Sequence, residues 1–181
     1  MRRLLLILLA VLPLAATAAC EDNSFFNEAT FRADTLTLRA PTAGEADAPS
    51  ALDASRPSTV SPERPQFAGQ WDYALRQSGS TFTLLPVVTR ARSLRPGLAR
   101  SSQPFDQIED ASRSRASYQD SSVALVQGSA YTFRTRQYRT DFGECFNYGK
   151  LLVVNLDPAA GTARLYVKVN ANCDDERLTD D

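Results

Sequence analysis

An all-β, antiparallel, sandwich-like single domain is the fold class this sequence predicts, and three observations predict it. Several short segments alternate apolar and polar residues with a period of two. The stretches between them are rich in Pro, Gly, Ser and Asp, which break strands and form turns. A cysteine pair, Cys145 and Cys173, lies where the last two alternating segments open out.

The 181 residues carry a formal net charge of -1, with 43% hydrophobic and 23% charged residues. That is the balance of one ordinary globular domain. The first nineteen residues differ in kind. Arg2 and Arg3 precede an apolar run from Leu4 to Leu12, and small residues follow up to Cys20. The run is short for a bilayer span and ends in a cleavage-like segment, so residues 1–19 are expected to be a signal peptide. The segment Leu14-Ala15-Ala16-Thr17-Ala18-Ala19-Cys20 resembles the lipobox of bacterial lipoproteins, which implies an acylated Cys20 at the mature N-terminus. Thr17 stands where that motif usually has an aliphatic residue, and ordinary cleavage after Ala18 or Ala19 is the alternative. Cysteine arithmetic favours lipidation: of three cysteines, assigning Cys20 to lipid leaves an even pair. Removing Arg2 and Arg3 from twenty basic residues leaves eighteen against twenty-one acidic ones, a net charge of -3 for the mature chain.

Residues 20–33 are then lipid anchor and polar tether, with a Phe25/Phe26 pair that packs on the domain or touches the bilayer, and residues 34–181 form the domain. Asp34 to Arg39 alternates Thr and Leu and predicts a first strand. Residues 40–66 hold five prolines, which argue against helix and against a central strand. This Pro-rich loop is expected to lie partly against the sheet, with an edge strand near Ser58 to Val60, or else to be a linker. Trp71 to Arg76 and Thr81 to Leu84 predict a hairpin. With Ser78-Gly79 as a two-residue loop, Leu75 faces Phe82, Tyr73 faces Leu84, and Trp71 joins them on one apolar face.

Arg90, Arg92, Arg95 and Arg100 surround Pro96-Gly97 at irregular spacing, as in a solvated loop. These charges lack interleaved aromatics and the mature chain is acidic, so no nucleic-acid partner is expected. Ser102 to Ala111 predicts one short helix, with Pro104 at its first position and Phe105 and Ile108 on one face. Val123 to Val126 and Ala130 to Arg136 predict two more strands around Gly128, the second with Tyr131 and Phe133 inward and Thr132, Arg134 and Arg136 outward.

The C-terminal hairpin runs from Lys150 to Asn170 around Asp157-Pro158-Ala159-Ala160-Gly161-Thr162, whose proline and glycine suit a turn. Setting Leu156 opposite Ala163 places Val154 by Leu165 and Leu152 by Val167. The expected inner face is Leu152, Val154, Leu156, Leu165, Val167 and Val169. The same register puts Cys145 opposite Asp174, one step from Cys173, an offset that a bulge at Gly149 would absorb. A Cys145–Cys173 disulfide stapling this hairpin is therefore expected, in an oxidising compartment. Two cysteines without histidine make structural zinc the weaker reading.

The chain has no histidine and its sole methionine is the initiator, which removes Ser/His/Asp triads, Cys/His dyads and His or Met ligation from the mature protein. No Gly-rich phosphate loop is present. Asp106, Glu109, Asp110 and the Asp174-Asp175-Glu176 run are nominal carboxylates for acid/base work, but none is set in a recognisable motif. The Asp174-Asp175-Glu176 run with Asp180-Asp181 lacks the spacing of a calcium loop. No catalytic residue, cofactor or metal ligand is assigned. Arg134, Arg136 and Tyr166 are the candidate surface contacts for a partner.

Trp71-Asp72-Tyr73-Ala74-Leu75, Ala130-Tyr131-Thr132-Phe133-Arg134-Thr135-Arg136 and Tyr148-Gly149-Lys150-Leu151-Leu152-Val153-Val154, behind a lipobox-like start, resemble the HmuY-type haem-binding lipoproteins. The resemblance covers about a third of the mature chain, and it implies a β-sandwich-like domain in the bacterial envelope. The His or Met haem ligands associated with that family are missing here, so the resemblance carries no haem function. The expected function is that of a non-catalytic envelope lipoprotein, held at the outer membrane through its N-terminal lipid and binding a protein partner or a small ligand. The alternative is a structural or assembly accessory of the outer membrane.

Overall fold

A computed structural model describes residues 29–42, 45, 47–88, 95–140 and 143–180. Residues 1–19, expected to be a signal peptide, and Cys20, Phe25/Phe26, Arg90 and Arg92 lie outside the described residues. Among the described residues the strands are β1 (Phe31–Arg39), β2 (Ala51–Asp53), β3 (Ser58–Val60), β4 (Tyr73–Ser78), β5 (Thr81–Pro86), β6 (Gly97–Arg100), β7 (Val123–Ala124), β8 (Ala130–Arg134), β9 (Tyr138–Thr140), β10 (Gly143–Cys145), β11 (Tyr148–Asp157) and β12 (Thr162–Asn170). They form one five-stranded sheet in the order β1-β12-β11-β8-β6, a second in the order β3-β2-β4-β5-β7, and a small β9/β10 ribbon. All the ladders are antiparallel. Leu36 and Leu38 of β1, Tyr131 and Phe133 of β8, and Leu165 and Val167 of β12 share one core with Leu52, Tyr73, Leu75, Phe82 and Leu84 of the second sheet. The inward residues of two facing sheets thus bury each other, which defines the sandwich.

The first strand begins earlier than its alternation indicates. Phe31, Arg32 and Ala33 already pair with Asn170, Val169 and Lys168. The Pro-rich stretch contributes the expected edge strand, β3, and, against expectation, an interior strand, β2, which pairs with β3 on one side and β4 on the other. Ala51, Leu52 and Asp53 are all buried, so β2 carries no period-two signal. The predicted helix is a single 3-10 turn, Phe105–Gln107, with Pro104 preceding it rather than opening it. Val123–Ala124 and β8 do not pair: Gly128, at φ 76°, helps carry the chain from one sheet to the other.

In the β4/β5 hairpin Leu75 faces Leu84 and Gln77 faces Phe82. The loop residues are therefore Gly79-Ser80, and Gly79 at φ 58° supplies the Gly-first geometry of a hairpin turn. Moving the loop by one residue moves each partner by two. The face is preserved, and Tyr73, Leu75, Phe82 and Leu84 are all fully buried. Trp71 departs from the expectation: it packs with Phe67, Ala51, Val60 and Ala74 on the other side of the second sheet.

The C-terminal hairpin contains a bulge at Val154. Leu156 faces Ala163 as expected, but beyond the bulge Val153 faces Leu165 and Leu151 faces Val167. One inserted residue reverses the facing of everything N-terminal to it. Leu151 and Val153 are fully buried, while Leu152 is half-buried and Val154 is 39% exposed. Leu165, Val167 and Val169 keep their inward places. The same inserted residue removes the one-step offset at the cysteines: continuing the shifted register brings Cys145 opposite Cys173. The two are disulfide-bonded with α-carbons 5.5 Å apart, at a sequence separation of 28. Closing such a loop stabilises by roughly 3 to 4 kcal/mol in the chain-entropy account.

Gly149 is not a bulge. It is the place where the tip of the Phe133 ring meets the strand, and a β-carbon there would stand 2.6 Å from the Lys168 carbonyl oxygen and 2.7 Å from Phe133 Cε1. The carbonyl belongs to a paired strand and cannot retreat. Gly149→Ala is expected to destabilise the domain by about 1–3 kcal/mol through overpacking, read as a lower urea midpoint at unchanged slope.

Candidate polar cleft at one end of the sandwich

Asp72 stands one residue before β4 and is completely buried. Its carboxylate accepts hydrogen bonds from the Ala54 N–H at 2.8 Å, the Arg136 N–H at 2.7 Å and Arg136 Nη1 at 2.9 Å. Ala54 follows β2 of the second sheet and Arg136 follows β8 of the first, so one carboxylate joins both sheets. Arg136 Nη1 also lies 3.4 Å from Asp53 Oδ1. Burial pushes the Asp72 carboxyl above the usual range, against the opposing pull of the Arg136 cation and the N–H donors. The next residue repeats the connection. Tyr73 Oη lies 2.8 Å from the Arg134 carbonyl oxygen and 2.9 Å from that of Gly97, and donates its single proton between them. Tyr131 makes the reciprocal link, donating to Ala124 O at 2.9 Å and accepting from the Val126 N–H at 3.0 Å.

Arg136 forms part of the wall of a cleft of about 640 Å³ whose lining also includes Arg32, Asp53, Ser55, Arg56, Tyr138 and Asn147. Each residue reaches it from the end of an element. Arg32 comes from the start of β1, Ser55 and Arg56 from the β2–β3 turn, Tyr138 from β9, and Asn147 from the link into β11. Asn147 is buried and fixed: its Nδ2 donates to Asn170 O at 2.9 Å and its N–H to Thr135 Oγ1 at 2.9 Å. Burial raises the Tyr138 hydroxyl pKa, with a hydrogen bond from Asn147 and the charge of Arg32 acting in the opposite direction. The cleft thus carries three guanidinium groups and one carboxylate on a rigid polar floor.

Of the candidate surface contacts, only Arg136 faces this cleft. Arg134 is corrected by its burial: it is 5% exposed, donates to Arg95 O at 3.1 Å and lies 4.1 Å from the centre of the Phe146 ring. Strand parity places it outward as expected, but the Arg95 backbone and the Phe146 ring cover it there. Tyr166 is half-buried on the outer face of the first sheet with its ring 5.2 Å from that of Phe105. Nearby, Lys150 is buried under the same 3-10 turn and donates to Ile108 O at 2.8 Å. Desolvation, and secondarily the facing Lys168, lower its pKa.

Of the nominal carboxylates, those of Asp174, Asp175 and Glu176 are occupied in holding the chain. Asp174 Oδ1 accepts the Phe146 N–H at 3.0 Å, Asp175 binds Arg177 at 2.6 Å, and Glu176 pairs with Arg113. Asp110 sits in a backbone bridge with Arg177. Among the described residues no group of three Asp, Glu, Cys or His side chains is placed to hold a metal ion. Asp72, Arg32, Arg56, Tyr138 and Asn147 are absent from the sequence-derived candidates. An Asp between Trp71 and Tyr73, at the edge of an apolar run, was the one available signal. Comparison with protein-family models, curated proteins and solved structures finds no match.

Two predictions follow from these geometries. Asp72→Ala leaves three donors without their acceptor in a desolvated place and should cost about 3–5 kcal/mol in urea unfolding, with Asp72→Asn costing less because an acceptor oxygen remains. The Arg177 hydrogen bond holds the Asp175 carboxyl down at about 2, below its ordinary 3.8. A depressed acid stabilises the fold above its unfolded pKa and loses that contribution as pH falls through the folded one. Thermal melts of the wild type should therefore weaken between pH 4 and pH 2 by more than those of Asp175→Asn, the two curves converging at the acid end.

Proposed function

We propose that this chain is a non-catalytic binding module of the bacterial envelope, held to a membrane by a lipid on Cys20, which takes a small ligand or a partner's side chain into the cleft around Arg136. The observation that carries this reading is the polar concavity at the sandwich end, built by the ends of five separate elements, in which Arg136 is fixed from beneath by the buried Asp72 and Asn147 by Asn170 O. Preorganised polar groups in a concave place bind at low reorganisation cost. The lipobox-like segment and the disulfide support the location, since such a bond persists in oxidising compartments. The resemblance to HmuY-type lipoproteins agrees with the same location and fold.

Intact-mass measurement of the membrane fraction should find acyl chains on Cys20, and an unmodified or absent Cys20 would defeat the anchor. Crosslinking from native envelope through a photoreactive residue at Ser55 should capture a partner or retained small molecule that the same probe at Arg164, on an outward face of β12, does not. Equal capture at both positions would defeat the cleft as the binding place, and turnover by the purified chain in broad hydrolase screens would defeat the non-catalytic reading.

A further inference from the structure

We propose that the cleft is an oxyanion site for a phosphate group, with Arg32 and Arg56 as its ligands. The inference rests on the binding-module reading and narrows the ligand's chemistry. The three cleft arginines are not equivalent. Arg136 is bound to Asp72 at 2.9 Å and lies 3.4 Å from Asp53, so its charge is balanced within the protein. Arg32 makes one long contact, 3.4 Å from Nη1 to Ser55 O, and has no carboxylate partner among the described residues. Arg56 is exposed and has no ion-pair or hydrogen-bond partner among the described residues. Elsewhere Arg39, Arg64, Arg113, Arg115 and Arg177 each pair with an acid. Two uncompensated guanidinium groups therefore face one concavity from opposite sheets, Arg32 from β1 and Arg56 from the β2–β3 turn.

A guanidinium offers paired N–H donors whose spacing matches two oxygens of a phosphate, and two of them on separate walls can hold a tetrahedral anion from both sides. Asp53 Oδ1 accepts from Ser55 Oγ at 2.6 Å and faces Arg136, and no ion pair joins Asp53 to Arg32 or Arg56 among the described residues. Tyr138 adds a hydroxyl donor at the rim. The chain also arrives at this end of the domain: Ala171 lines the cleft and its N–H donates to Thr30 O at 2.7 Å. From Cys20 to Thr30 is ten residues, a reach of at most roughly 35 Å, so a lipid on Cys20 keeps the cleft near the headgroups of the membrane that holds it. The phosphate is carried either by such a headgroup or by a soluble molecule.

The test is calorimetric titration of the full chain in a neutral detergent with inorganic phosphate at low salt. Saturable one-to-one binding is expected, weakened at least about tenfold by Arg32→Gln/Arg56→Gln. The charge-matched control Arg76→Gln/Arg164→Gln, exposed positions near the opposite end, should bind as the wild type does. Absence of saturable phosphate binding, or equal weakening by both double variants, overturns the oxyanion site. Short-chain phosphatidylglycerol titrated alongside assigns the carrier: tighter binding than phosphate identifies a lipid headgroup, weaker binding a soluble phosphate. Native mass spectrometry of wild type and Ser55→Trp separates this inference from the reading beneath it. A neutral molecule retained by the wild type and lost from Ser55→Trp leaves the cleft a binding place and overturns the anion.

Discussion

The structure depends on a buried carboxylate that belongs to neither sheet alone. Asp72 collects a backbone donor from the end of β2, and a backbone and a guanidinium donor from the chain just past β8. Hydrophobic burial brings two sheets together but is non-directional and leaves them free to slide. A desolvated acceptor with three donors admits one relative position, because any slide strands a buried charge. Tyr73 reinforces it from the adjoining position, reaching across the core to the Arg134 and Gly97 carbonyls, with its ring edge-on to Phe133 at 6.4 Å. The dipeptide Asp72-Tyr73 fixes the alignment that the aliphatic residues around it make favourable.

How much of this was legible in the sequence follows from what period-two alternation can and cannot encode. Parity survives an even displacement, so the inward set Tyr73, Leu75, Phe82 and Leu84 is readable although every pairing in that hairpin is displaced by two. Parity does not survive a bulge. Nothing in Leu151-Leu152-Val153-Val154 distinguishes the inward residues, because all four are aliphatic, and the bulge at Val154 is set by the three-dimensional path of β11 between β8 and β12. The cysteines held the missing information: their one-residue offset required an inserted residue somewhere between Cys145 and the turn. Gly149 was the conformationally permissive choice, yet its lack of a side chain serves the approach of Phe133 instead.

The candidate site was less legible than the fold, for a physical reason. A strand's pattern reports which face meets the core, whereas the cleft is assembled from residues just outside strands, where no period operates. Arg32 reads as tether, Arg56 as Pro-rich loop, and Asn147 as an unremarkable polar residue after a cysteine. Arg134 shows the converse error: alternation gives its direction correctly, but its cover by the Arg95 backbone is a long-range fact. The C-terminal acids stand in no recognisable motif in the sequence, and Asp174, Asp175 and Glu176 are bound to Phe146, Arg177 and Arg113, two of those three partners lying far along the chain.

The same constraint that aligns the sheets also divides the cleft's arginines into two kinds. Arg136 cannot be given to a ligand without taking it from Asp72, and the energetic asymmetry of breaking one partner out of a buried pair makes that exchange unfavourable. Its part is to hold the floor and to present a balanced, fixed surface. Arg32 and Arg56 have no such prior obligation, and each stands on an element that Asp72 indirectly positions: β1 through β12 and β11 to β8, the β2–β3 turn through Ala54. Displacing the sheets would therefore change the separation of the two free guanidinium groups before it unfolded either sheet. In this molecule the interaction that specifies the sandwich is also the one that sets the width of its polar cleft.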